Sequence, residues 1–232
     1  MIAQESGVTY HADYVGPLLQ QLGWSVQRPI VRATQRDEAA IAQWAVTDLP
    51  ALKKAQNEER TLLYIDESAF YLLPGVVTTW APTGETPVLR CKLTRDHLSV
   101  ISAISPKGKL YLTIQKAAFD SDAVVAFLKL LLKELSGKLL IIWDGAPIHR
   151  SKTIQQFLTD GAAARIWLTR LPAYAPELNP DEGIWHYLKH VELKNTCCAD
   201  LSDLTQKLTT ATDCLSHKPE IIKACFAQVG YY

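Results

Sequence analysis

The sequence of 232 residues has no surplus of either charge, since 24 Lys and Arg stand against 24 Asp and Glu. Net charge therefore gives no sign of a polyanionic partner, and does not exclude one, because local patches matter more than totals. Cysteine is scarce and scattered. Cys91, Cys197, Cys198, Cys214 and Cys225 contain no CxxC pair and make an odd number. That speaks against a zinc knuckle or a disulfide framework and agrees with a reduced cytosolic compartment. Long apolar runs are missing as well: Ala123–Leu132 is interrupted by Lys129 and is too short to span a bilayer. The first residues show no basic-then-apolar leader pattern, and there are no repeats or low-complexity tracts. These absences predict a cytoplasmic protein with no membrane partner.

What is present falls into two regimes. With 48% hydrophobic residues the chain carries enough apolar material for one substantial core and a small appendage. The first sixty residues read as helical. Tyr14, Val15, Leu18, Leu19 and Leu22 recur at helical spacing within Tyr10–Gly23, and Gly23 is suited to a C-cap. Gln27–Thr34 reads as an extended linker around Pro29. Asp37–Glu59 reads as a charged helix broken near Pro50. From Thr61 the pattern becomes strands: Leu62–Ile65, Gly75–Trp80, His97–Ser105 and Lys109–Lys116, with Gly108 marking a hairpin. A helix at Asp120–Leu135, a strand at Lys138–Trp143, a helix at Ser151–Leu158 and a strand at Arg165–Thr169 follow. A meander running into alternating helices and strands predicts an α/β fold, a mixed sheet with flanking helices.

Two apolar strands run straight into acid, Leu62–Ile65 into Asp66 and Leu139–Trp143 into Asp144. Functional groups in open α/β sheets gather beyond the carboxyl ends of strands. If these two strands are parallel neighbours, the carboxylates converge and must share a proton or a cation. An all-oxygen donor set suits Mg²⁺ or Mn²⁺ better than softer metals. Either Asp taken alone is equally an ordinary strand terminator. Further on, Asn179 reads as an N-cap, Pro180 as the first helical residue and Glu182 as the third, which is close to a capping box. Asp181 and Glu177 are competing acids, and Trp185 and Leu188 continue the face that packs on the sheet. His186 and His190 have the i, i+4 spacing of zinc ligands, but position 187 is Tyr, so metalloprotease logic is absent. A basic patch, with Arg90, Lys92, Arg95, Lys107, Lys109 and Lys116 against the single acid Asp96, lies within Val88–Lys116.

The strings YIDES, WAPTGETP, WDGAPIHRS and LPAYAPELNPDEGIWHYLK, in that order, resemble the IS630 branch of the Tc1/mariner superfamily of transposases. The resemblance runs from about Thr61 to the end of the helix after Glu182, and the last string is the most distinctive. It implies an RNase H-like fold and catalysis by Asp66, Asp144 and Glu182 as ligands of two Mg²⁺ or Mn²⁺ ions. One ion would activate the nucleophile and the other stabilise the leaving oxygen. It further implies double-stranded DNA as partner, namely terminal inverted repeats and target DNA near TA, a homodimer, and a bacterial setting. The resemblance also places a His at His149. That residue reads as a contact to the scissile phosphate, as a group orienting a ligand, or as a cap of the next helix. Arg150 and Lys152, and Arg90, Lys92 and Arg95 of the basic patch, read either as DNA phosphate contacts or as solvated surface charge. Asn179, Pro180 and Trp185 support the site structurally.

Gly7–Ser25 resembles the recognition helix of a helix-turn-helix in the same family, which enters the major groove from its N-terminal end. The expected organisation is a partial helix-turn-helix region with linker at 1–35, a helical connector at 36–60 and a catalytic domain at 61–232. Such a chain begins inside its DNA-binding region. Alternatives are a decayed or domesticated DNA-binding protein without activity, and another RNase H-like nuclease such as a resolvase.

Overall fold

A computed structural model of the chain describes residues 7–27, 29, 31–56 and 60–232, with the side chains of 54–56 left aside. The expected helix end at 57–59 lies outside the described residues. The chain divides into two compact units, Met1–Thr34 and Gln35–Tyr232. In the first, helix α1 (Ala12–Gln21) starts at His11, whose ring accepts from the Asp13 amide. It ends before Gly23, whose φ of 78° is the left-handed turn that favours glycine. No residue of α1 is buried.

In the second unit, Asp37 caps α2 (Glu38–Gln43) by accepting from the Ala39 and Ala40 amides. The sequence predicts a break near Pro50, but the chain stays helical. A π turn (Trp44–Asp48) leads directly into α3 (Leu49–Gln56), where Pro50 occupies the first turn. Strands β1 (Arg60–Tyr71), β2 (His97–Ile104) and β3 (Leu110–Gln115) form an antiparallel meander. Helix α4 (Ser121–Glu134), strand β4 (Lys138–Trp143), a 3-10 turn (Pro147–Arg150), helix α5 (Lys152–Thr159) and strand β5 (Ile166–Arg170) come next. The chain closes with α6 (Asp181–Tyr187), a π turn (Leu188–Glu192), α7 (Leu201–Ser216) and α8 (Pro219–Gln228). The sheet order is β3-β2-β1-β4-β5, with β1, β4 and β5 parallel. A five-stranded mixed sheet flanked by helices is thus the fold that the element order predicts.

Two expectations fail. Gly75–Trp80 is not a strand but part of the irregular connection from β1 to β2. Val76 and Trp80 are exposed there, and the segment joins neither edge of the sheet, which β3 and β5 form. Its near foot is held by Asn195, which exchanges two side-chain hydrogen bonds with Val77. Its far leg brings Cys91 Sγ to 2.9 Å from Cys197 Sγ, both as free thiols. In addition, β1 does not stop at Asp66. It runs on to Tyr71 because antiparallel pairing with β2 continues after parallel pairing with β4 has ended at Tyr64.

Strand alternation separates two cores. Leu62, Tyr64, Leu140 and Ile142 face a layer formed by α6, α7 and α8 together with Trp44, Leu49 and Leu52. Leu63, Ile65, Leu139, Ile141 and Trp143 face α4 and Ile154 of α5. In the first layer α6 and α8 meet at Gly183, where an added Cβ would lie 2.6 Å from Cys225 Sγ and 3.1 Å from its Cβ. Alanine gains about 1 kcal/mol over glycine in a helix, but overpacking costs about 1–3 kcal/mol, so the clash should win. Gly183→Ala is expected to lower stability in urea unfolding. The loss should shrink in a Cys225→Ala background, where only the Cβ contact remains; an equal loss in both backgrounds would contradict this packing.

Candidate active site

The last parallel pair between β1 and β4 is Tyr64 with Ile142. Asp66 and Asp144 each lie two residues beyond it, Asp66 still within β1 and Asp144 just past the end of β4. Strand parity puts Asp66 on the same face as Tyr64, while Asp144 both lines the cavity with Asp66 and lies beside His149. Glu182, exposed in the first turn of α6, completes a cavity lined by Asp66, Asp144, Asn179 and the 171–176 loop. The three sequence-predicted acids therefore open into one cavity. Among the described residues, no three carboxylate, imidazole or thiol groups already stand close enough to hold one ion together.

On the face toward α6, the Trp185 indole N–H donates to Asp66 Oδ2 at 2.8 Å. Ser102, the cross-strand partner of Asp66, donates to Asp181 Oδ1 at 2.5 Å. Asp181 is fully buried, and among the described residues its Oδ2 has no hydrogen-bond partner. Burial pushes the Asp66 carboxyl up to about 7, and the charges of Glu67 and Glu182 add to this against the Trp185 hydrogen bond. Burial likewise holds Asp181 well above the usual carboxylate range, with Asp66 contributing. Lys189 faces the same acids. Its Nζ donates to Ser68 at 2.7 Å and sits over the Phe70 ring, and burial lowers its pKa against the pull of Glu182 and Asp66. Crowded carboxylates with an unsatisfied buried oxygen and an all-oxygen donor set fit a hard divalent cation.

The opposite face carries a second constellation. His149 is buried, its ring stacked on Trp143 with centroids 4.3 Å apart and planes 3° from parallel. Its Nε2 lies 3.0 Å from Glu67 Oε1 and its Nδ1 2.9 Å from Asp144 Oδ1. Burial alone would lower the His149 pKa, but hydrogen bonds with Asp144 and Glu67 outweigh it and lift the ring to about 9. The same bond to His149 holds Asp144 below the usual range. With both nitrogens occupied and its side chain out of solvent, His149 is not placed to meet a phosphate, and Ser151 rather than His149 caps α5.

The competing acids are accounted for. Glu177 is gripped by Arg36, whose Nη1 also donates to the Tyr174 carbonyl at 2.9 Å. Asn179 remains extended, and its side chain accepts from the Asp181 amide at 3.1 Å, while Pro180 takes the cap position one residue later than expected. Arg150 and Lys152 are exposed at the 3-10 turn and the start of α5. Arg90, Lys92 and Arg95 are exposed on the β1–β2 connection. None of these five lines the cavity. Glu67, Ser102, Lys189 and Arg36 were missed in the sequence. Parity was the available signal for Glu67, since the residue after a strand-borne Asp must face the other core.

The family model for DDE superfamily endonucleases matches residues 61–205, more than half of the chain. The chain belongs to this family of endonucleases. A winged helix-turn helix model matches residues 1–47. No curated protein matches. Among solved structures, the Mos1 strand transfer complex superimposes with a TM-score of 0.67 at 16% identity, covering 100% of this chain and 73% of that one. The Mos1 mariner paired end complex with Mn gives 0.66 at 16% identity, covering 100% of this chain and 74% of that one. The corresponding complex with Mg gives 0.67 at 15% identity, covering 99% and 73%. At such identities the likeness shows a shared fold.

A carboxyl raised from its unfolded value to about 7 binds more protons in the folded DDE endonuclease than in the unfolded chain. Its contribution to stability is complete below the unfolded pKa and is lost as pH rises through about 7. With divalent ions chelated, the urea midpoint should therefore fall between about pH 4 and 7. Asp66→Asn should flatten that slope; an unchanged slope in the variant would remove Asp66 as its source.

Proposed function

We propose that this DDE endonuclease is a transposase of the IS630 branch, with Asp66, Asp144 and Glu182 as its catalytic acids. The observation that carries the reading is that Asp66, in β1, and Asp144, just past its parallel neighbour β4, line one cavity together with Glu182. The three carboxylates would hold two divalent ions, Mg²⁺ or Mn²⁺, both of which accept oxygen ligands. Bound ions supply charge stabilisation and an activated oxygen nucleophile for phosphoryl transfer. The chain's own residues do the positioning. Trp185 fixes one oxygen of Asp66, His149 fixes one oxygen of Asp144, and the start of α6 presents Glu182. The Mos1 relatives, solved as a strand transfer complex and with Mn and Mg, favour this chemistry over a binding-only role.

The substrate is double-stranded DNA: the terminal inverted repeats of an insertion sequence, and the target into which they are joined. The winged helix-turn helix match at 1–47 supports DNA recognition by the front of the chain. The working organisation is a helix-turn-helix region and linker at 1–35, a connector at 36–60 and the catalytic domain at 61–232, acting as a homodimer in the bacterial cytoplasm. Among the described residues no helix is long and apolar enough to cross a membrane. Arg90, Lys92, Arg95, Arg150 and Lys152 are the candidates for backbone phosphate contacts outside the cavity, contacts that position DNA without reading its sequence.

The test is cleavage of a labelled duplex carrying the ends of the element that encodes the chain. Cleavage should require Mg²⁺ or Mn²⁺, and Asp144→Asn should reduce it to the level seen with EDTA while the circular dichroism spectrum stays native. Undiminished cleavage by the variant would take Asp144 out of the site.

A further inference from the structure

Glu67 has no place in the acid cluster just described. It follows Asp66 on β1 but alternates to the opposite face of the sheet, the side of Leu63 and Ile65. A half-buried carboxylate in that position needs a partner, and the partner is His149, whose Nε2 lies 3.0 Å from Glu67 Oε1. The ring's other nitrogen is 2.9 Å from Asp144 Oδ1 and 3.4 Å from the Asp144 carbonyl oxygen, and Oδ1 accepts from the Ala146 amide at 2.9 Å. Stacking on Trp143, the last residue of β4, fixes the plane of the ring. Ring plane, ring rotation and hydrogen-bond direction are thus set by three separate groups.

We propose that Glu67 is a positioning residue for Asp144, acting through His149. Glu67 holds the ring in the rotation that directs Nδ1–H at Asp144 Oδ1. Both hydrogen bonds to the Asp144 carboxylate then land on one oxygen, which orients the other for a ligand. The proposal rests on the reading of Asp144 as a metal ligand and extends it. It also explains why an acid sits beside Asp66 without lining the cavity. A carboxylate–imidazole–carboxylate chain is the arrangement by which outer groups tune a metal-ligating residue, and removing such a partner costs about 10–100-fold in metal affinity.

The test is Mn²⁺ binding to the full chain, followed by the paramagnetic resonance of free Mn²⁺ in the absence of DNA. Glu67→Leu should weaken binding by about 10–100-fold, and Glu67→Gln, which keeps an acceptor, should restore most of the affinity. His149→Phe, which preserves the stack on Trp143, should weaken binding as much as Glu67→Leu. The double variant Glu67→Leu/His149→Phe removes the buried charge pair together, so it is the form most certain to fold. It should bind no worse than His149→Phe alone. Unchanged affinity in Glu67→Leu, or a further loss when it is added to His149→Phe, would overturn the proposal. Asp144→Asn measured alongside separates the two layers: if it leaves Mn²⁺ affinity intact, the metal-ligand reading of Asp144 fails, whatever Glu67 does.

Discussion

The parallel pairing of β1 with β4 is the constraint from which the site follows. Its register, ending at Tyr64 and Ile142, brings Asp66 and Asp144 to the same end of the sheet, where both line one cavity. A slip of one residue in either strand would turn one carboxylate into the opposite core. The register is enforced by burial on both faces. Leu62, Tyr64, Leu140 and Ile142 fill one layer, and Leu63, Ile65, Leu139 and Ile141 fill the other, so a slipped strand has no apolar side to expose. Hydrophobic packing over a few residue pairs thereby sets the geometry of charges that would otherwise repel one another.

Those charges are costly, and the surrounding structure shows where the cost is met. Asp66 accepts the Trp185 N–H, Asp144 accepts from Ala146 and His149, and Lys189 supplies a half-buried positive charge nearby. Among the described residues Asp181 has only Ser102 for one of its two oxygens, and burial holds its carboxyl well above the usual carboxylate range. The cluster is balanced on its flanks but not at its centre. That is the condition in which a bound divalent ion lowers the energy of the folded chain as well as performing chemistry.

Much of this was legible in the sequence. The runs LLYI and LLIIW, each followed by Asp, mark buried strands that lead into acids, and NPDEGIW marks a helix start bearing acid. The rest was hidden for identifiable reasons. GVVTTW has strand composition, but the segment joins neither edge strand of the sheet and leaves Val76 and Trp80 exposed, so composition alone did not make it a strand. The length of β1 beyond Asp66 depends on β2, some thirty residues away, and no local pattern reports it. Pro50 reads as a breaker, and next to it the helix shifts into a π turn at Trp44–Asp48 rather than stopping. His149 offered several roles because its partners come from β1 and from the end of β4, and only the assembled sheet brings Glu67 within reach of it. The pairing of Cys91 with Cys197 across 106 residues is equally long-range.

The central claim is that the paired carboxylates at the ends of β1 and β4 share divalent ions. Anomalous diffraction from crystals grown with Mn²⁺ tests it most directly. The account predicts anomalous density between the Asp66 and Asp144 carboxylates, on the cavity side of the sheet facing Glu182. Mn²⁺ bound only elsewhere, with both carboxylates free of metal at saturating concentration, would contradict it.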